Sequence, residues 1–420
     1  RYVLGRHEER DFSGEDMVIK NPAVRRDVPL LQKARRLETD ISLFLSRCES
    51  PLIGVTGTKG KSSTASAIHH LLSGFHKECR LGGNITHSPL NFVDELPDGP
   101  PVVLELSSFQ LGDLSFAAHF NRLRGTRETA FTSRHDPIDP TVAIITNIYR
   151  DHQDYYGGME PYVEDKRLLF KSQRGPWSLF SGEDGYGTSF AEEARSRSLL
   201  VFGSNAGDQR NAVYEHNGWG TLSVGEQRVP LVPPEIKVPG RHQRRNALFA
   251  AAAAYLAGAP AELVKARISG FPGIPHRLAF VRDHGGVLFY NDSAATIPEA
   301  TYAAVESFSF PVNLICGGTD KELNLDLLVA AARKAKRLFL LAGGATERLL
   351  PRLQEERIDY HGPFSEIEPL LEECRSELPL GHRREIVLFS PGCSSFELFQ
   401  NEFDRGDRFV SAVRALGPIS

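Results

Sequence analysis

The 420-residue sequence lacks paired cysteines, long apolar runs and a large net charge. Its five cysteines are scattered and form no C-x-x-C pair, which argues against a structural zinc site and against a disulfide framework. No run of about 18 or more apolar residues is present, so we expect no membrane association. The net charge of −4 argues against a nucleic-acid binder. These absences favour a cytoplasmic protein that acts on small molecules.

What is present is the composition of a globular α/β protein. Hydrophobic residues make up 41% of the chain and charged residues 24%, and the length exceeds what one core holds, so we expect two or three domains. Apolar runs alternate with helical patterns, as in buried parallel sheets, and lie at residues 53–55, 102–106, 142–145, 313–316, 338–341 and 386–389.

Other patterns indicate how these runs are connected. Short alternating stretches at 212–232, broken by Asn217 and Gly218, predict a small antiparallel patch beside the first sheet. Residues 115–140 contain Arg122, Arg124, Arg127 and Arg134 without periodicity, and we predict a loop insertion there. An alanine-rich helix is predicted at 247–257. The Pro- and Gly-dense residues 271–277 then predict an interdomain linker.

The most informative stretch is residues 52–72, where an apolar run meets a glycine-rich turn and then a helical pattern. Gly57 and Gly60 allow positive φ, so that backbone N–H groups and the new helix can face a polyphosphate. In a phosphate loop of this kind, Lys61 reaches the β- and γ-phosphates and Ser62 ligates Mg²⁺. The spacing is shorter than G-x-x-x-x-G-K-[ST], because position 55 is valine. The alternative is an ordinary strand-to-helix turn.

Polar residues end the next two predicted strands. Glu105 closes one, and a buried acid there calls for a cation. Asp151 and His152 follow the other, at the edge where α/β sheets bind ligands. We predict that they hold a second metal ion or position water, although a simple loop hydrogen bond is the alternative for an isolated Asp-His pair.

Six motifs in this order resemble the Mur ligases of peptidoglycan synthesis. They are G-T-K-G-K-S at 57–62, E-L-S-S-F-Q-L at 105–111, D-H at 151–152, G-I-P-H-R at 273–277, N-D-S at 291–293 and S-P-G-C-S-S-F at 390–396. The second and last are typical of the members that add D-glutamate, and the signature of the diamino-acid-adding members is absent.

The resemblance implies three α/β domains. Residues 1–47 would be part of an N-terminal Rossmann-like UDP-binding domain, 48–270 a central P-loop ATPase with a parallel sheet, and 271–420 a C-terminal Rossmann-like domain that binds the amino acid. The glycine-rich turn that opens the family's first domain does not precede Arg1. Either the natural N-terminus has been removed, which is the expectation we favour, or the protein is unusually short.

The resemblance also implies site residues. Lys61, His152 and Lys166 would be catalytic. One Mg²⁺ ion would be held by Ser62 and Glu105, and a second by His152 and by Lys166 as its carbamate. ATP would be bound by Gly57, Thr58, Lys59, Gly60, Lys61, Ser62, Ser63, Asn246, Arg277 and Asp292. For Lys166, the residues alone predict a solvated helix position, so its role depends on the resemblance.

The implied substrates are ATP, UDP-N-acetylmuramoyl-L-alanine and D-glutamate, bound by a monomer. Contacts to the UDP substrate or to glutamate would come from Asn84, Ser108, Gln110, Thr296, Lys321, Ser395 and Phe396. Two positions depart from the family: Ala294 replaces a lysine, and Glu402 stands where an aromatic residue is expected, with Phe403 one position later. Glu402 would repel a dicarboxylate if it pointed inward.

Two other functions remain open from the sequence. A folylpolyglutamate-synthase-like ligase would share the architecture, but would not be expected to carry the E-L-S-S-F-Q stretch. A catalytically silent nucleotide-binding protein is permitted by the incomplete first domain. Amino-acid-dependent phosphate release from ATP, measured with muramoyl and folate substrates, separates these possibilities.

Overall fold

The computed structural model describes residues 7–85, 87–96, 99–125, 138–204, 210–378 and 384–417. The chain divides into two compact units, which we call unit 1 (Arg1–Ile236 and His242–Gly270) and unit 2 (Lys237–Arg241 and Phe271–Ser420). Residues 1–47 belong to unit 1, and the division into three functional domains stays a prediction. Among the described residues, no helix is long and apolar enough to cross a membrane.

Unit 1 contains a nine-stranded sheet in the order β11-β10-β9-β8-β7-β6-β3-β5-β4. Its strands are β3 (Leu52–Thr56), β4 (Arg80–Gly83), β5 (Val102–Glu105), β6 (Val142–Ile145), β7 (Trp177–Ser181), β8 (Arg197–Val201), β9 (Asn211–His216), β10 (Trp219–Val224) and β11 (Gln227–Val232). Strands β4 to β9 and β3 pair in parallel, whereas β9, β10 and β11 pair antiparallel. The antiparallel patch predicted at 212–232 is therefore confirmed.

Every residue of β3, β5 and β6 is buried, which is why their sequences are nearly continuous apolar runs. The helices of unit 1 are α1 (Arg10–Ser13), α2 (Asp40–Leu45), α3 (Lys61–Leu72), α4 (Ser108–Leu123), α5 (Gln153–Tyr156), α6 (Met159–Lys171), α7 (Gly185–Glu193), α8 (Arg241–Leu256) and α9 (Ala261–Gly270). Only the first residue of α8, Arg241, falls in unit 2. One core cluster joins side chains of α2, α4 and α6 to β3, β5 and β6.

The first part of unit 1 is a small parallel pair, β1 (Val18–Ile19) and β2 (Leu37–Glu38), with a 3-10 helix at Pro29–Lys33 between them. Leu31, Ala34 and Leu37 pack with Phe120 of α4 in a core cluster of their own. Residues 18–38 therefore pack against α4, the helix that follows β5.

Unit 2 contains a six-stranded sheet in the order β12-β13-β17-β14-β15-β16. The strands are β12 (Ala279–His284), β13 (Val287–Asn291), β14 (Val312–Gly317), β15 (Arg337–Leu341), β16 (His361–Phe364) and β17 (Glu385–Phe389). The helices are α10 (Pro298–Glu306), α11 (Asp326–Lys334), α12 (Gly344–Glu355), α13 (Ile367–Glu377) and α14 (Glu402–Ala415). All neighbours pair in parallel except β12 and β13, which form an antiparallel hairpin.

The predicted α/β fold class is confirmed, but the loop insertion predicted at 115–140 is wrong over residues 115–123. There α4 continues to Leu123, because Leu114, Ala117 and Phe120 form a buried face. Arg127 and Arg134 lie outside the described residues. The alanine-rich helix also begins six residues earlier than predicted, at Arg241.

Candidate functional site

The predicted phosphate loop lies between β3 and α3. Gly57 and Gly60 have φ of 140° and 85°. A Cβ atom on Gly57 would collide with the Thr146 side chain, and one on Gly60 with the carboxamide of Asn246, so both positions require glycine. Gly60 is the N-cap of α3 and provides no side-chain cap, which leaves the first N–H groups of the helix to an incoming anion.

The end of β6 fixes the shape of this loop. Asn147 accepts from the Lys59 N–H at 2.9 Å and donates to the Lys59 carbonyl at 2.9 Å. The Thr58 N–H donates to the Asn147 carbonyl at 2.9 Å, and the Thr146 hydroxyl donates to the Lys59 carbonyl at 2.7 Å. The sequence interpretation assigned no role to Thr146 or Asn147, although polar residues directly after a buried strand indicate a possible ligand-binding site.

Two lysines meet at the carbonyl of Gly57. Lys61 donates to the Gly57 and Thr58 carbonyls at 3.1 and 2.9 Å, and Lys166 donates to the Gly57 carbonyl at 2.8 Å. Burial and the nearby Lys61 charge lower the pKa of Lys166 to about 7. Only 2% of Lys166 is exposed, so the solvated position predicted from the residues alone is wrong: α6 packs against the sheet and turns this face inward.

Tyr162, one turn before Lys166 on α6, is a site residue that the sequence interpretation did not identify. Its hydroxyl lies 2.9 Å from the Thr58 hydroxyl, and the Lys166 ammonium lies 4.7 Å from the centre of its ring. The buried Tyr162 thus contacts both the phosphate loop and the lysine.

Glu105, at the end of β5, is 1% exposed. Its Oε1 accepts a hydrogen bond from Asn84 at 3.1 Å, whereas its Oε2 is buried and has no hydrogen-bond partner among the described residues. A buried carboxylate oxygen without a donor is costly unless a cation satisfies it.

His152 is exposed and sits in the left-handed region at φ 51°, a conformation that costs free energy and concentrates at functional sites. Its ring centre lies 4.9 Å from that of Phe109 and 6.3 Å from that of Tyr162. The preceding Asp151 pairs with Lys59 at 3.2 Å. His152 therefore lies beside the aromatic side chain that contacts the phosphate loop.

Two of the residues predicted to contact the UDP substrate, Ser108 and Gln110, lie in the first turn of α4. The Gln110 Oε1 accepts from the Ser107 N–H at 3.0 Å, and the Ser107 hydroxyl accepts from the Gln110 N–H at 3.1 Å, which forms the capping box of α4. Ser108 is buried at the first residue of α4. The residues that begin α4 are thus held in place before any substrate binds.

In unit 2, Asp292 is held at the end of β13. Its two oxygens accept from the Leu278 N–H at 3.0 Å and from the Ser390 hydroxyl at 2.7 Å. Burial raises the pKa of Asp292 to about 7 against the opposing effect of these hydrogen bonds. Arg277 is exposed beside it, between two residues that have positive φ.

The predicted glutamate contacts Lys321, Ser395 and Phe396 come together in unit 2. Thr319 and Ser394 form an antiparallel bridge, with N···O distances of 3.1 and 3.2 Å, that places their loops side by side. Lys321 Nζ then lies 5.9 Å from the centre of the exposed Phe396 ring. The Ser395 hydroxyl is buried and has no partner in the part of the chain that the structure describes. Thr296 is half-buried after β13.

The two departures from the family lie near this region. Glu402 begins α14 and is half-buried, and its carbonyl accepts from the Ser293 hydroxyl at 2.7 Å. Phe403 is exposed, and its ring centre lies 5.5 Å from that of His276. The N–H of Ala294 donates to the His276 carbonyl at 2.9 Å.

Comparison with known proteins identifies the family. Residues 125–254 match the Mur ligase middle domain. The chain is 37% identical to the UDP-N-acetylmuramoylalanine–D-glutamate ligase of Treponema pallidum, covering 99% of this chain and 88% of the relative. It is 35% identical to the protein of the same name from Borreliella afzelii, covering 99% of this chain and 86% of the relative. The chain belongs to the Mur ligase family.

Solved Mur ligases have the same fold. One is a UDP-N-acetylmuramoyl-L-alanyl-D-glutamate–2,6-diaminopimelate ligase, with a TM-score of 0.64 at 16% identity over 99% of this chain and 98% of that one. Another is MurF of Thermotoga maritima in complex with ADP, with a TM-score of 0.54 at 15% identity over 98% and 96% of the two chains.

This Mur ligase also contains a buried arginine that the sequence interpretation did not identify. Arg405 has no exposed surface, and burial lowers its pKa to about 10. It donates to the Ser293 hydroxyl and carbonyl at 3.0 and 2.8 Å, and to the Cys393 and Ser394 carbonyls at 3.1 and 3.0 Å. Arg405 thereby ties the segment after β13 to the loop that carries Ser395.

The donor set of unit 1 fits a cation, since the unpartnered Glu105 oxygen lies at the end of the strand next to β3. Within the described part of the chain, the one group of three histidine, cysteine or carboxylate side chains close enough to share an ion is His361, Glu373 and Glu377 in unit 2. The Glu105 and His152 side chains are not part of a group of this kind, so a metal ion bound at Glu105 would need further ligands of other types.

Proposed function

We propose that this Mur ligase catalyses the ATP-dependent ligation of D-glutamate to UDP-N-acetylmuramoyl-L-alanine, a step of peptidoglycan precursor synthesis. The observation that carries the proposal is the 30 to 37% identity, over 99% of the chain, to relatives that bear this activity in their names. The phosphate loop of unit 1 and the Lys321–Phe396 region of unit 2 supply the two kinds of binding group that the reaction needs.

The reaction has two steps. The carboxylate of the muramoyl-alanine substrate attacks the γ-phosphorus of ATP in line, which forms an acyl phosphate and releases ADP. The neutral amine of D-glutamate then attacks the acyl carbon, inorganic phosphate leaves with the electron pair of the C–O bond, and the proton lost by the amine ends on the released phosphate. Positioning and charge neutralisation supply most of the catalysis.

Lys61 is suited to follow the transferred phosphoryl group. Its ammonium donates to the Gly57 and Thr58 carbonyls at 3.1 and 2.9 Å, which holds the positive charge against the phosphate loop. The loop N–H groups and the first turn of α3, with Ser62 and Ser63, would hold the other phosphate oxygens. Asn246, packed against Gly60, would contact adenine.

Glu105 and Ser62 would hold one Mg²⁺ ion, and His152 with a carbamate on Lys166 would hold the second. When bound, Mg²⁺ neutralises charge on the phosphate oxygens. The lowered pKa of Lys166 supports carbamate formation, because a neutral amine is the form that attacks CO₂. In that step the amine nitrogen forms a bond to the carbon of CO₂. The electron pair of one C–O π bond moves to oxygen, which gives the carboxylate, and the nitrogen releases one proton.

Asn84, Ser108 and Gln110 would contact the UDP substrate, and Arg277 and Asp292 would contact ATP. For the amino acid, the unpartnered hydroxyl of Ser395 can donate to a carboxylate, and Lys321 supplies a cation; Thr296 and Phe396 would complete the site. The monomeric state and the cytoplasmic location stay predictions.

Substitution of Lys61 tests the proposal. We expect Lys61→Ala to lower D-glutamate-dependent phosphate release at least ~10²-fold, the usual size for loss of one transition-state electrostatic contact. Lys171→Ala is the matched control, since Lys171 is an exposed lysine of unit 1 that pairs with Glu164 on the surface. Near-normal turnover in Lys61→Ala would remove the loop from the phosphoryl-transfer site.

A further inference from the structure

The loop that carries Lys321 is bonded on both sides of that residue by a single side chain. Arg348, on α12, donates from Nη1 to the two carboxylate oxygens of Asp320 at 2.7 and 2.8 Å. Its Nη2 also contacts the Leu323 carbonyl at 3.4 Å. The guanidinium therefore contacts the residue before Lys321 and the second residue after it.

This loop needs such support because its backbone is strained. Glu322 has φ of 57°, in the left-handed region that few non-glycine residues adopt. The Glu322 N–H donates to the Asp320 carboxylate at 2.8 Å, so Asp320 closes a local turn with Lys321 at its centre. Arg348 holds the carboxylate on which this turn depends.

The charge of Asp320 is a second reason why this loop needs Arg348. Asp320 is adjacent in sequence to Lys321, and an unpaired carboxylate there would attract the lysine ammonium and repel an incoming dicarboxylate. Arg348 donates from the one nitrogen Nη1 to both oxygens of Asp320 and neutralises their charge, and this hydrogen bonding is the main cause of the lowered pKa of Asp320. Lys321 is then left to face Phe396, at 5.9 Å from its ring centre.

The same helix also contacts the second loop of the amino-acid site. Glu397, directly after Phe396, accepts from the Gly344 N–H at 3.1 Å, at the first residue of α12. The Glu397 N–H donates to the Thr319 hydroxyl at 2.9 Å. Helix α12 is thus bonded both to the Lys321 loop and to the loop that carries Ser395 and Phe396.

We propose that Arg348 is a positioning residue for amino-acid selection: by bonding Asp320 and Leu323 it holds Lys321 ready for a carboxylate of the incoming amino acid. The inference rests on the proposed function, in which Lys321 contacts D-glutamate. Arg348 itself need not touch the substrate, because its donors face the loop.

The proposal predicts a separation of kinetic constants. At saturating ATP and UDP-N-acetylmuramoyl-L-alanine, Arg348→Ala should raise the KM for D-glutamate roughly tenfold, as expected for residues in one hydrogen-bond network. The kcat and the KM for ATP should stay within about twofold of the wild type, because the loss concerns binding shared by ground and transition states. Arg348→Lys should give an intermediate KM, since an ammonium can neutralise Asp320 but lacks the planar fork.

Arg352→Ala is the matched control. Arg352 lies one turn later on α12 and pairs with Asp326 at 2.5 Å, and its side chain is 38% exposed compared with 47% for Arg348. Exposed ion pairs of this kind add little to stability, so both variants should fold. Arg352→Ala should keep the wild-type KM for D-glutamate, and a thermal melt of each variant verifies folding.

The outcomes separate the inference from the function on which it rests. An Arg348→Ala variant with the KM of Arg352→Ala, or with an equal defect toward ATP and D-glutamate, overturns the positioning role. If the wild type does not ligate D-glutamate, or if Lys321→Ala leaves its KM unchanged, the proposed amino-acid site is wrong and the inference falls with it.

Discussion

At the scale of single residues, Lys166 is a buried lysine whose surroundings lower its pKa. Both groups to which it donates, the Gly57 carbonyl and the Thr56 hydroxyl, are uncharged, at 2.8 and 3.5 Å. With a pKa of about 7, much of its amine is neutral at pH 7, whereas a solvated lysine with a pKa of about 10.4 is almost wholly protonated. The neutral amine is the form that can react with CO₂, as the proposed carbamate on Lys166 requires.

We predict that Lys166 carbamylation rises with pH. Below pH 7 the ammonium predominates and cannot attack CO₂, and above pH 7 the neutral amine predominates, so at fixed ¹³CO₂ pressure the carbamate carbon signal should grow between pH 6 and pH 8. NMR on the whole chain measures it. Lys166→Ala should lose the signal and the ligase activity, with part of the activity restored by acetate, and Lys171→Ala should keep both. A carbamate signal that persists in Lys166→Ala would show that Lys166 is not the carbamylated residue.

The same residue shows why its surroundings could not be predicted from the sequence. A lysine in a helical pattern with acidic neighbours is usually solvated, and only the family resemblance indicated otherwise. The burial arises from contacts with Gly57, more than 100 positions away in the chain, as the 109-residue separation of that hydrogen bond shows. By contrast, the positive φ of Gly57 and Gly60 followed from the local glycine pattern and is confirmed.

At the scale of elements, a buried ion pair attaches the N-terminal segment to α4. Lys20, directly after β1, pairs with Asp113 at 2.5 Å, and each side chain is 1% exposed. Arg26 bonds Asp113 at 3.1 Å and also pairs with Asp165 of α6. One cluster of charges thus joins residues 20–26 to the helix that carries Ser108 and to the helix that carries Lys166.

We predict that Lys20→Ala destabilises unit 1 by about 3–5 kcal/mol, because it leaves the Asp113 charge buried with only a partly exposed partner. Burial already raises the pKa of Asp113, and loss of Lys20 raises it further, so the deficit should be full above the pKa of Asp113 in the variant and should shrink as the pH falls and the carboxyl is protonated. Denaturant unfolding at several pH values measures it.

Two variants make this test specific. The double substitution Lys20→Met with Asp113→Leu should recover most of the stability, since it removes both charges together. Lys33→Ala removes an exposed ion pair with Glu9 and should change the unfolding free energy little. Equal destabilisation by Lys20→Ala and Lys33→Ala would show that the buried ion pair contributes no more to the unfolding free energy than the exposed one.

Buried polar side chains contribute to the error in the sequence interpretation of residues 115–140. Helix α4 buries Asp113 and Asn121 beside its apolar side chains, which blurs the apolar periodicity by which helices are recognised. Asn121 accepts from the Leu37 N–H and donates to its carbonyl at 2.9 and 2.8 Å. Partners so distant in sequence cannot be inferred from a local pattern. The strands were easier, because apolar residues alone define them.

At the scale of the whole molecule, the function depends on two sets of groups. A phosphate loop alone indicates only a nucleoside triphosphate, and many ligases and ATPases carry one. In the proposed function, Lys321, Ser395 and Phe396 of unit 2 would select the amino acid, and the Ser395 hydroxyl lacks a partner among the described residues. The order of motifs indicated the family from the sequence. The aromatic residue expected at position 402 did not match, and Glu402 is half-buried at the start of α14.

The most direct test of the account is product formation by the whole chain with competing substrates. With ATP, Mg²⁺ and UDP-N-acetylmuramoyl-L-alanine, mass spectrometry should detect the D-glutamyl amide with one phosphate released per product, and L-glutamate or D-aspartate should give much less. A folate acceptor with L-glutamate should give no product. Ligation of folate, equal use of D- and L-glutamate, or ATP hydrolysis that is independent of the amino acid would contradict the account.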